Sequence, residues 1–282
     1  MTKTALASKV FHIHGGAAKG EPLYLTVPAF DQTDLTRHCF STRIGGVSQG
    51  NFSSLNLSFS RGDVFQHVRI NYELLCGCIG IDFRDLVFSD QTHSTHCEVV
   101  RRRDRGKGIT RRSGIRETDG LLTNRPRVPL VTLYADCVPL LLLDTKTPAI
   151  ASVHAGWRGT VNKIAQEALA LMRDRFGTDP KDVLAAVMPS IGPCCFEVDP
   201  PVAEAFFDAF DRELSPFIVR HQNGKSNIDM QGLNAMLLQS AGVPADNITV
   251  SDLCTKCHSD VFYSHRVQGD NRGSLAAILQ LK

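Results

Sequence analysis

The chain has 282 residues, of which 43% are hydrophobic and 21% charged, and its formal net charge is +2. This is the balance of an ordinary globular protein able to bury a core, and so small a net charge gives no general argument for nucleic acid or an anionic membrane as partner. The length allows one large domain or two small ones.

The nine cysteines are odd in number and unevenly spaced, which disfavours a secreted disulfide framework and favours reduced thiols. No stretch reaches the roughly 18 apolar residues of a membrane helix. The first residues lack the continuous apolar run of an export signal. A cytoplasmic protein is expected.

In chain order, residues 1–21 read as a loose arm closing on Gly15, Gly16 and Gly20. Short strand signals follow over 24–27 and 37–41, then a turn-rich loop over 42–48. Gly45 and Gly46 let backbone N–H groups approach a ligand there. Arg43 beside them reads either as an anion clamp or as the solvated arginine of a hairpin loop. Residues 63–77 read as a helix capped by Asp63, with Val64, Val68, Leu74 and Leu75 on one face. Cys76 and Cys78 have no second pair nearby and read as small buried residues. A strand over 86–88 leads into the run from Asp90 to Cys97, where spacing alone allows His93 or His96 as a metal ligand.

Residues 101–116 hold seven arginines and one lysine with no apolar period, and so form a loop. It is either a solvated connection or an electropositive lid that attracts phosphate or an anionic nucleoside derivative. Aromatic residues for base stacking are absent from it, so nucleic acid is not expected.

The stretch 132–160 organises the chain. It contains two short, continuous apolar runs, 138–143 and 149–153, each closed by turn residues, which predicts two buried strands. Cys137 and His154 stand at the rims of these strands. With a histidine from 93–96 they make one thiolate and two imidazoles, a set that leaves a fourth zinc position open, as catalytic sites do. Asp136 beside Cys137 reads as a group that orients a histidine or moves a proton, or simply as a turn residue.

Thr160 is expected to cap a helix reaching about residue 175, with Val161, Ile164, Ala165, Ala168, Leu169 and Met172 as its apolar stripe and Gly177 as its stop. Trp157, the only tryptophan, either stacks on a base or fills a core seam. Arg158 and the N–H groups at that helix start suit phosphate. A strand over 183–187 precedes the Gly192-Pro193 turn. Cys194 and Cys195 are expected as thiols, because a vicinal disulfide is strained. Helices over 202–211 and 230–239, then strands over 248–250, 261–263 and 275–279, complete the pass. Cys254-Thr255-Lys256-Cys257-His258 matches the c-type haem pattern, but that attachment requires export; a redox pair is the other local reading. Periodicity alone thus gives a mixed α/β protein.

Four segments carry a resemblance: Ala135-Asp136-Cys137, the HAGWRGT of 154–160, the IGPCCFEV of 191–198 and the DLCTKCHSDVFYSHR of 252–266. Together they resemble the laccase-domain, or YfiH-like, family. Its members were first called multicopper polyphenol oxidases and are now read mostly as zinc-containing purine nucleoside phosphorylases, with adenosine deaminase and methylthioadenosine phosphorylase side activities. The resemblance runs from about residue 41 to the end. It implies a single domain over 22–282 with the α/β fold of an α-β-β-α sandwich, mixed sheets layered with helices. It implies His93, Cys137 and His154 as catalytic residues and ligands of zinc, with copper less favoured. Thr92 and Ser94 depart from the family's usual residues around that histidine. The loop of 42–48 with Ser54-Leu55-Asn56-Leu57-Ser58 resembles the family's opening, which turns Arg43 toward phosphate; Arg158, Asp136 and His265 join it as substrate-binding residues. Asp119-Gly120-Leu121-Leu122-Thr123 resembles another family segment, and the Cys254–Cys257 segment is implied to be structural or pocket-lining. The implied partners are a small purine nucleoside and inorganic phosphate, with no nucleic acid and no membrane, for a monomer or homodimer.

Three other readings stand beside this one. Copper-dependent phenol oxidation meets the obstacle that the only His-x-His is His12-Ile13-His14, and one cysteine with two histidines cannot build a multicopper centre. Peptidoglycan-precursor editing by amide hydrolysis would use zinc-bound water or Cys137 as nucleophile. A non-enzymatic zinc or redox module would use the segment 254–258.

Overall fold

The computed structural model describes residues 6–18, 20–210, 214 and 216–282. Residues 1–5 and Lys19 of the expected arm, and the expected helix end at Asp211, lie outside the described residues. The chain opens with β1 (His12–His14), β2 (Tyr24–Thr26), α1 (Pro28–Thr33) and β3 (Thr36–Ser41). Next come α2 (Phe65–Ile79), β4 (Val87–Phe88), β5 (Cys97–Val99), β6 (Gly120–Thr123) and β7 (Leu130–Tyr134). The centre is β8 (Val138–Asp144), β9 (Ala149–Ala155), α3 (Trp157–Val161), α4 (Ile164–Phe176) and β10 (Val183–Val187). The last third is β11 (Glu197–Val198), α5 (Pro200–Phe210), β12 (Ile218–Arg220), β13 (Ser226–Ile228), α6 (Met230–Ser240), β14 (Ile248–Val250), α7 (His265–Gln268) and β15 (Leu275–Leu281).

Two six-stranded sheets form a sandwich. One has the order β1-β2-β3-β15-β7-β4 and the other β14-β10-β8-β9-β6-β5; a third, small sheet runs β11-β13-β12. Both large sheets are mixed: β4 lies parallel to β7, β5 to β6 and β10 to β14, while the remaining pairs are antiparallel.

The strand parity of β8 explains its unbroken apolar run. Leu141 and Leu143 face the other sheet and pack with Phe40, Leu130, Tyr134 and Leu279. Leu140 and Leu142 face outward, onto a layer that includes Ile164, Leu169 and Met172 of α4 and Leu233 and Leu237 of α6. A strand buried on both faces has no reason to alternate. Across the molecule, α2 covers the first sheet through Val68, Tyr72 and Leu75, which meet Cys39 and Ile278. Helix, sheet, sheet, helix is the predicted sandwich. Among the described residues no helix is long and apolar enough to cross a membrane.

Several local expectations are corrected. The arm is not loose over 12–14, where β1 pairs with β2; Phe11 is buried and Ser8 Oγ donates to Asp252 Oδ1 at 2.7 Å. Helix α2 begins at Phe65, because the Asp63 carboxylate is taken by Ser48 Oγ at 2.6 Å and Asn56 Nδ2 at 2.9 Å. Cys76 is buried in α2 but Cys78 is exposed. The helix expected to start at Thr160 is broken into α3 and α4 by Lys163, whose φ is 62°. The Thr160 hydroxyl accepts from Asn234 Nδ2 at 3.0 Å instead of capping. Val261, Phe262 and Tyr263 are fully buried yet lie in a turn rather than a strand.

Candidate active site

The chain crosses from the first sheet to the second twice, between β4 and β5 and between β7 and β8. His93 lies on the first crossing and Cys137 on the second. His154 is on β9, with the same strand parity as Ile150 and Ser152, and so it points between the sheets at their end. Pro139 pairs with His154 and Val138 with Ala155, which brings Cys137 beside the imidazole. One donor atom from each of His93, Cys137 and His154 lies within 4.8 Å of the others. The two imidazoles are stacked, centroids 4.9 Å apart and planes at 23°, and Tyr134 closes the inner side at 5.5 Å from His154.

Left-handed backbone at two positions makes this convergence possible: His93 has φ 62° and Asp136 φ 84°. Histidine and aspartate are among the few residues that tolerate this region, and such outliers gather at functional sites. Gly156 leaves room, since a Cβ there would stand 3.1 Å from His93 Nδ1 and 3.5 Å from Cys137 Sγ.

Asp119, just before β6, holds the site from behind. It is 0% exposed. Its Oδ1 lies 2.8 Å from His154 Nδ1 and accepts from the His93 N–H at 3.1 Å. Its Oδ2 accepts from the N–H groups of Thr92 and Ser94 and from Ser94 Oγ, at 3.2, 2.7 and 2.8 Å. One carboxylate therefore fixes both the loop that carries His93 and the tautomer of His154. With Nδ1–H turned to Asp119, Nε2 is the nitrogen left for a metal, which would bind there in place of a proton. Burial alone raises the Asp119 carboxyl, but the hydrogen bond and charge of His154 and the bonds from Ser94 outweigh it and hold it at about 2. Burial likewise disfavours charge on His154, yet the Cys137 and Asp119 charges and hydrogen bonds raise it to about 9. His93 is lowered by burial and by the charge of its neighbour His154.

The three donors line a cavity of about 810 Å³. Trp157 and Phe196 give it aromatic surface, and Arg61, Lys225, Arg266 and Arg272 give it positive charge. Arg272 is only 6% exposed, and its Nε has no hydrogen-bond partner among the described residues. One of its terminal nitrogens donates to Gly273 O at 3.0 Å. Burial and the nearby Arg61 charge lower it to about 10. Two guanidinium groups lining one cavity suit an anion there.

The sequence-predicted substrate residues are only partly brought together here. Asp136 and His265 line the cavity. The Asp136 carboxylate does not face His154; it accepts from Thr255 Oγ1 at 2.6 Å, Ser264 Oγ at 3.0 Å and the Arg266 N–H at 2.7 Å. The histidine-orienting carboxylate is Asp119, which the sequence reading left without a role. Arg43 and Arg158 do not line the cavity. The Arg43 guanidinium donates to the carbonyls of Ser53 and Ser259 and lies over the Tyr263 ring at 4.6 Å. Arg158 is exposed and lies 4.3 Å over the Trp157 ring. Nor is the arginine-rich loop a lid over this cavity. Arg105 pairs with Asp85 at 3.0 Å, Lys107 with Asp104 at 2.7 Å, and Arg111 donates to backbone carbonyls of the loop itself.

Two imidazoles and a thiolate form a borderline-soft set that fits a divalent transition metal with one position left over. The family model described as multi-copper polyphenol oxidoreductase laccase matches residues 37–282. The chain is 35% identical over 246 residues to purine nucleoside phosphorylase YlmD of Bacillus subtilis (strain 168), covering 86% of this chain and 87% of that one. It is 38% identical over 237 residues to adenosine deaminase RL5 of an unknown prokaryotic organism, covering 83% and 90%. The crystal structure of YlmD from Geobacillus stearothermophilus has a TM-score of 0.88 to it, at 30% identity, over 96% of this chain and 98% of that one.

Proposed function

This chain belongs to the multi-copper polyphenol oxidoreductase laccase family, and on that footing we propose that it is a zinc-dependent purine nucleoside phosphorylase. It acts on adenosine, inosine or methylthioadenosine, and its catalytic domain covers residues 22–282 with β1 as an added edge strand. The observation that carries the reading is the meeting of His93, Cys137 and His154, backed by Asp119, in a cavity that Arg272 and Arg61 also line. His93, Cys137 and His154 would hold the metal. When bound, it supplies a Lewis acid with one open position that can polarise a substrate oxygen or bring water to a pKa near about 7.

The chain's own residues supply binding and orientation. Arg272 and Arg61, which line the cavity, are assigned to phosphate in place of Arg43 and Arg158, which do not. Trp157 and Phe196 receive the apolar faces of the purine. A phosphate oxygen bonds to C1′ of the ribose as the bond from C1′ to the purine nitrogen breaks. The base leaves with that electron pair and takes up a proton. Fixing the two reactants in line lowers the entropic part of the barrier. The two cations hold the phosphate anion in place against C1′. Asp136 shapes the wall beside Cys137 through Thr255, Ser264 and Arg266, and His265 lines the mouth.

A second reaction on adenosine has water attack C6 of the purine instead of phosphate attacking C1′, so that a C6–O bond forms as the 6-amino group leaves as ammonia, and the similarity to a protein named adenosine deaminase favours it as a side activity. Multicopper phenol oxidation is disfavoured by the donors. Among the described residues the other candidate groups are four cysteines, and His12 and His14 with Asp31, so no site gathers many imidazoles.

The test is chromatographic. Purified protein and a Cys137→Ala variant are incubated with adenosine or inosine, with and without phosphate. Phosphate-dependent release of free base and ribose-1-phosphate, lost in the variant, is expected. Failure to turn over either nucleoside by zinc-loaded protein would sink the reading and favour amide hydrolysis.

A further inference from the structure

A second cluster of soft donors lies apart from the histidine site. Cys194 and Cys195 follow the Gly192-Pro193 turn after β10; Cys254 and Cys257 lie in the turn-rich segment after β14. The four Sγ atoms lie within 4.8 Å of one another. Cys194 and Cys195 stand 3.6 and 3.5 Å from Cys257 Sγ, and none of the four is in a disulfide. With zinc–sulfur bonds of about 2.3 Å, the corners of a tetrahedron lie about 3.8 Å apart. The two spacings to Cys257 are close to that edge, and the bound of 4.8 Å on the others leaves room for four sulfurs around one ion.

The surrounding backbone supports the cluster. The Gly192 N–H donates to Cys254 Sγ at 3.2 Å, a bond that favours the thiolate a metal requires. A Cβ on Gly192 would stand 3.2 Å from Cys254 Cβ and 3.5 Å from Cys194 Sγ, so glycine permits the approach. Ser190 and Cys254 form an isolated parallel bridge, with Thr255 N–H donating to Ser190 O at 2.9 Å. Two segments distant in sequence are thus held side by side before any ion is added.

We propose that Cys194, Cys195, Cys254 and Cys257 bind a single zinc ion as a closed tetrathiolate site. Four protein ligands leave no open position, so the site is structural. It ties together two walls of the cavity. Ile191, Phe196 and Glu197 come from one segment. The other carries Thr255 and leads to Ser264 and Arg266, the groups that hold Asp136 next to Cys137. Arg266 also reaches back to the carbonyls of Cys195 and Glu197, at 3.3 and 2.8 Å. The ion locks the corner from which Cys137 projects. This inference does not depend on the purine reading, since its readout is metal content and ligand type.

The experiment measures zinc per chain by mass spectrometry and the zinc–sulfur shell by X-ray absorption. It compares the parent, Cys137→Ser, and the double variant Cys254→Ser, Cys257→Ser. The double variant is expected to lose one equivalent of zinc relative to the parent. Zinc retained by Cys137→Ser is expected to show a shell of four sulfurs at about 2.3 Å. That measurement stands even if the double variant fails to fold. Unchanged zinc in a folded double variant overturns the proposal. So does a Cys137→Ser protein without zinc, or with a disulfide among the four cysteines in its intact mass.

Discussion

Asp119→Asn puts the metal geometry to its sharpest test. The substitution keeps the shape of the side chain and replaces one acceptor oxygen with a donor NH2. Oδ2 accepts from three groups, Thr92 N, Ser94 N and Ser94 Oγ. The asparagine oxygen will occupy that place. Its NH2 then faces His154 Nδ1 and the His93 N–H. To accept from this NH2, His154 must move its own proton to Nε2, the nitrogen needed for the metal. Loss of such an outer carboxylate costs 10–100-fold in metal affinity, or about 1.4–2.7 kcal/mol. The opposed donors at His93 N–H add a cost of roughly 1–3 kcal/mol to folding. The assay is zinc competition against a chelator, with denaturant unfolding alongside. The contrast is Asp136→Asn, whose partners are Thr255, Ser264 and Arg266, and which should leave zinc affinity within about threefold. Parent-like affinity in Asp119→Asn, or equal losses in both variants, would refute the tautomer argument.

Other outcomes follow from the same geometry. Arg272→Ala should raise the phosphate KM about 10–100-fold, on the order of one charge-assisted bond, with little change in nucleoside binding. Arg43→Ala should leave the phosphate KM unchanged while lowering stability by about 1–2 kcal/mol through its lost carbonyl bonds, as steady-state kinetics and urea unfolding will report. Cys137→Ala should abolish phosphorolysis while the protein still unfolds cooperatively. His38 gives a pH effect far from the site. It is buried, accepts from the Val27 N–H at Nε2 (2.8 Å), and is lowered to about 4, chiefly by burial. Its folded value lies below the ordinary 6.5, so its stabilising contribution is present above pH 6.5 and is lost as pH falls through about 4. The loss reaches up to ~3 kcal/mol. Unfolding midpoints between those pH values should fall in the parent and stay flatter in His38→Gln.

The elements that were legible in the sequence are those whose burial leaves a compositional mark. Strands β8 and β9 were readable because both faces are covered and the apolar runs are unbroken. The α4 stripe was readable because one face meets β9. Strand β1 was not, since His12-Ile13-His14 has no apolar pattern and is held by pairing with β2 and by His12 on Asp31 at 3.0 Å. The small sheet was missed for a similar reason: Ser226-Asn227-Ile228 has no strand composition, and its neighbours supply its hydrogen bonds. At the site, cysteine and histidine at strand rims pointed to the donors. Asp119 has no periodic signature, and its role arises only because β6 lies beside β9, with the His154 N–H donating to Asp119 O at 2.7 Å. Arg272 precedes β15 in an irregular loop, where nothing local marks a buried cation. Cys194 and Cys257 belong to segments whose meeting no spacing rule foretells.

The two crossings between sheets bear on the order of folding. His93 and Cys137 lie on connections whose ends belong to different sheets, so the donors cannot meet until both sheets have formed and packed. Contacts between segments so far apart in sequence form slowly, because chain entropy must be spent before they return anything. A metal at this site would therefore not nucleate the fold as it does in a zinc finger. A metal held by these residues would enter an assembled sandwich, and its uptake during refolding should trail the burial of Tyr134 and the rest of the inter-sheet core. Capture of a metal by these three residues would then be open only to chains whose two sheets have found their register.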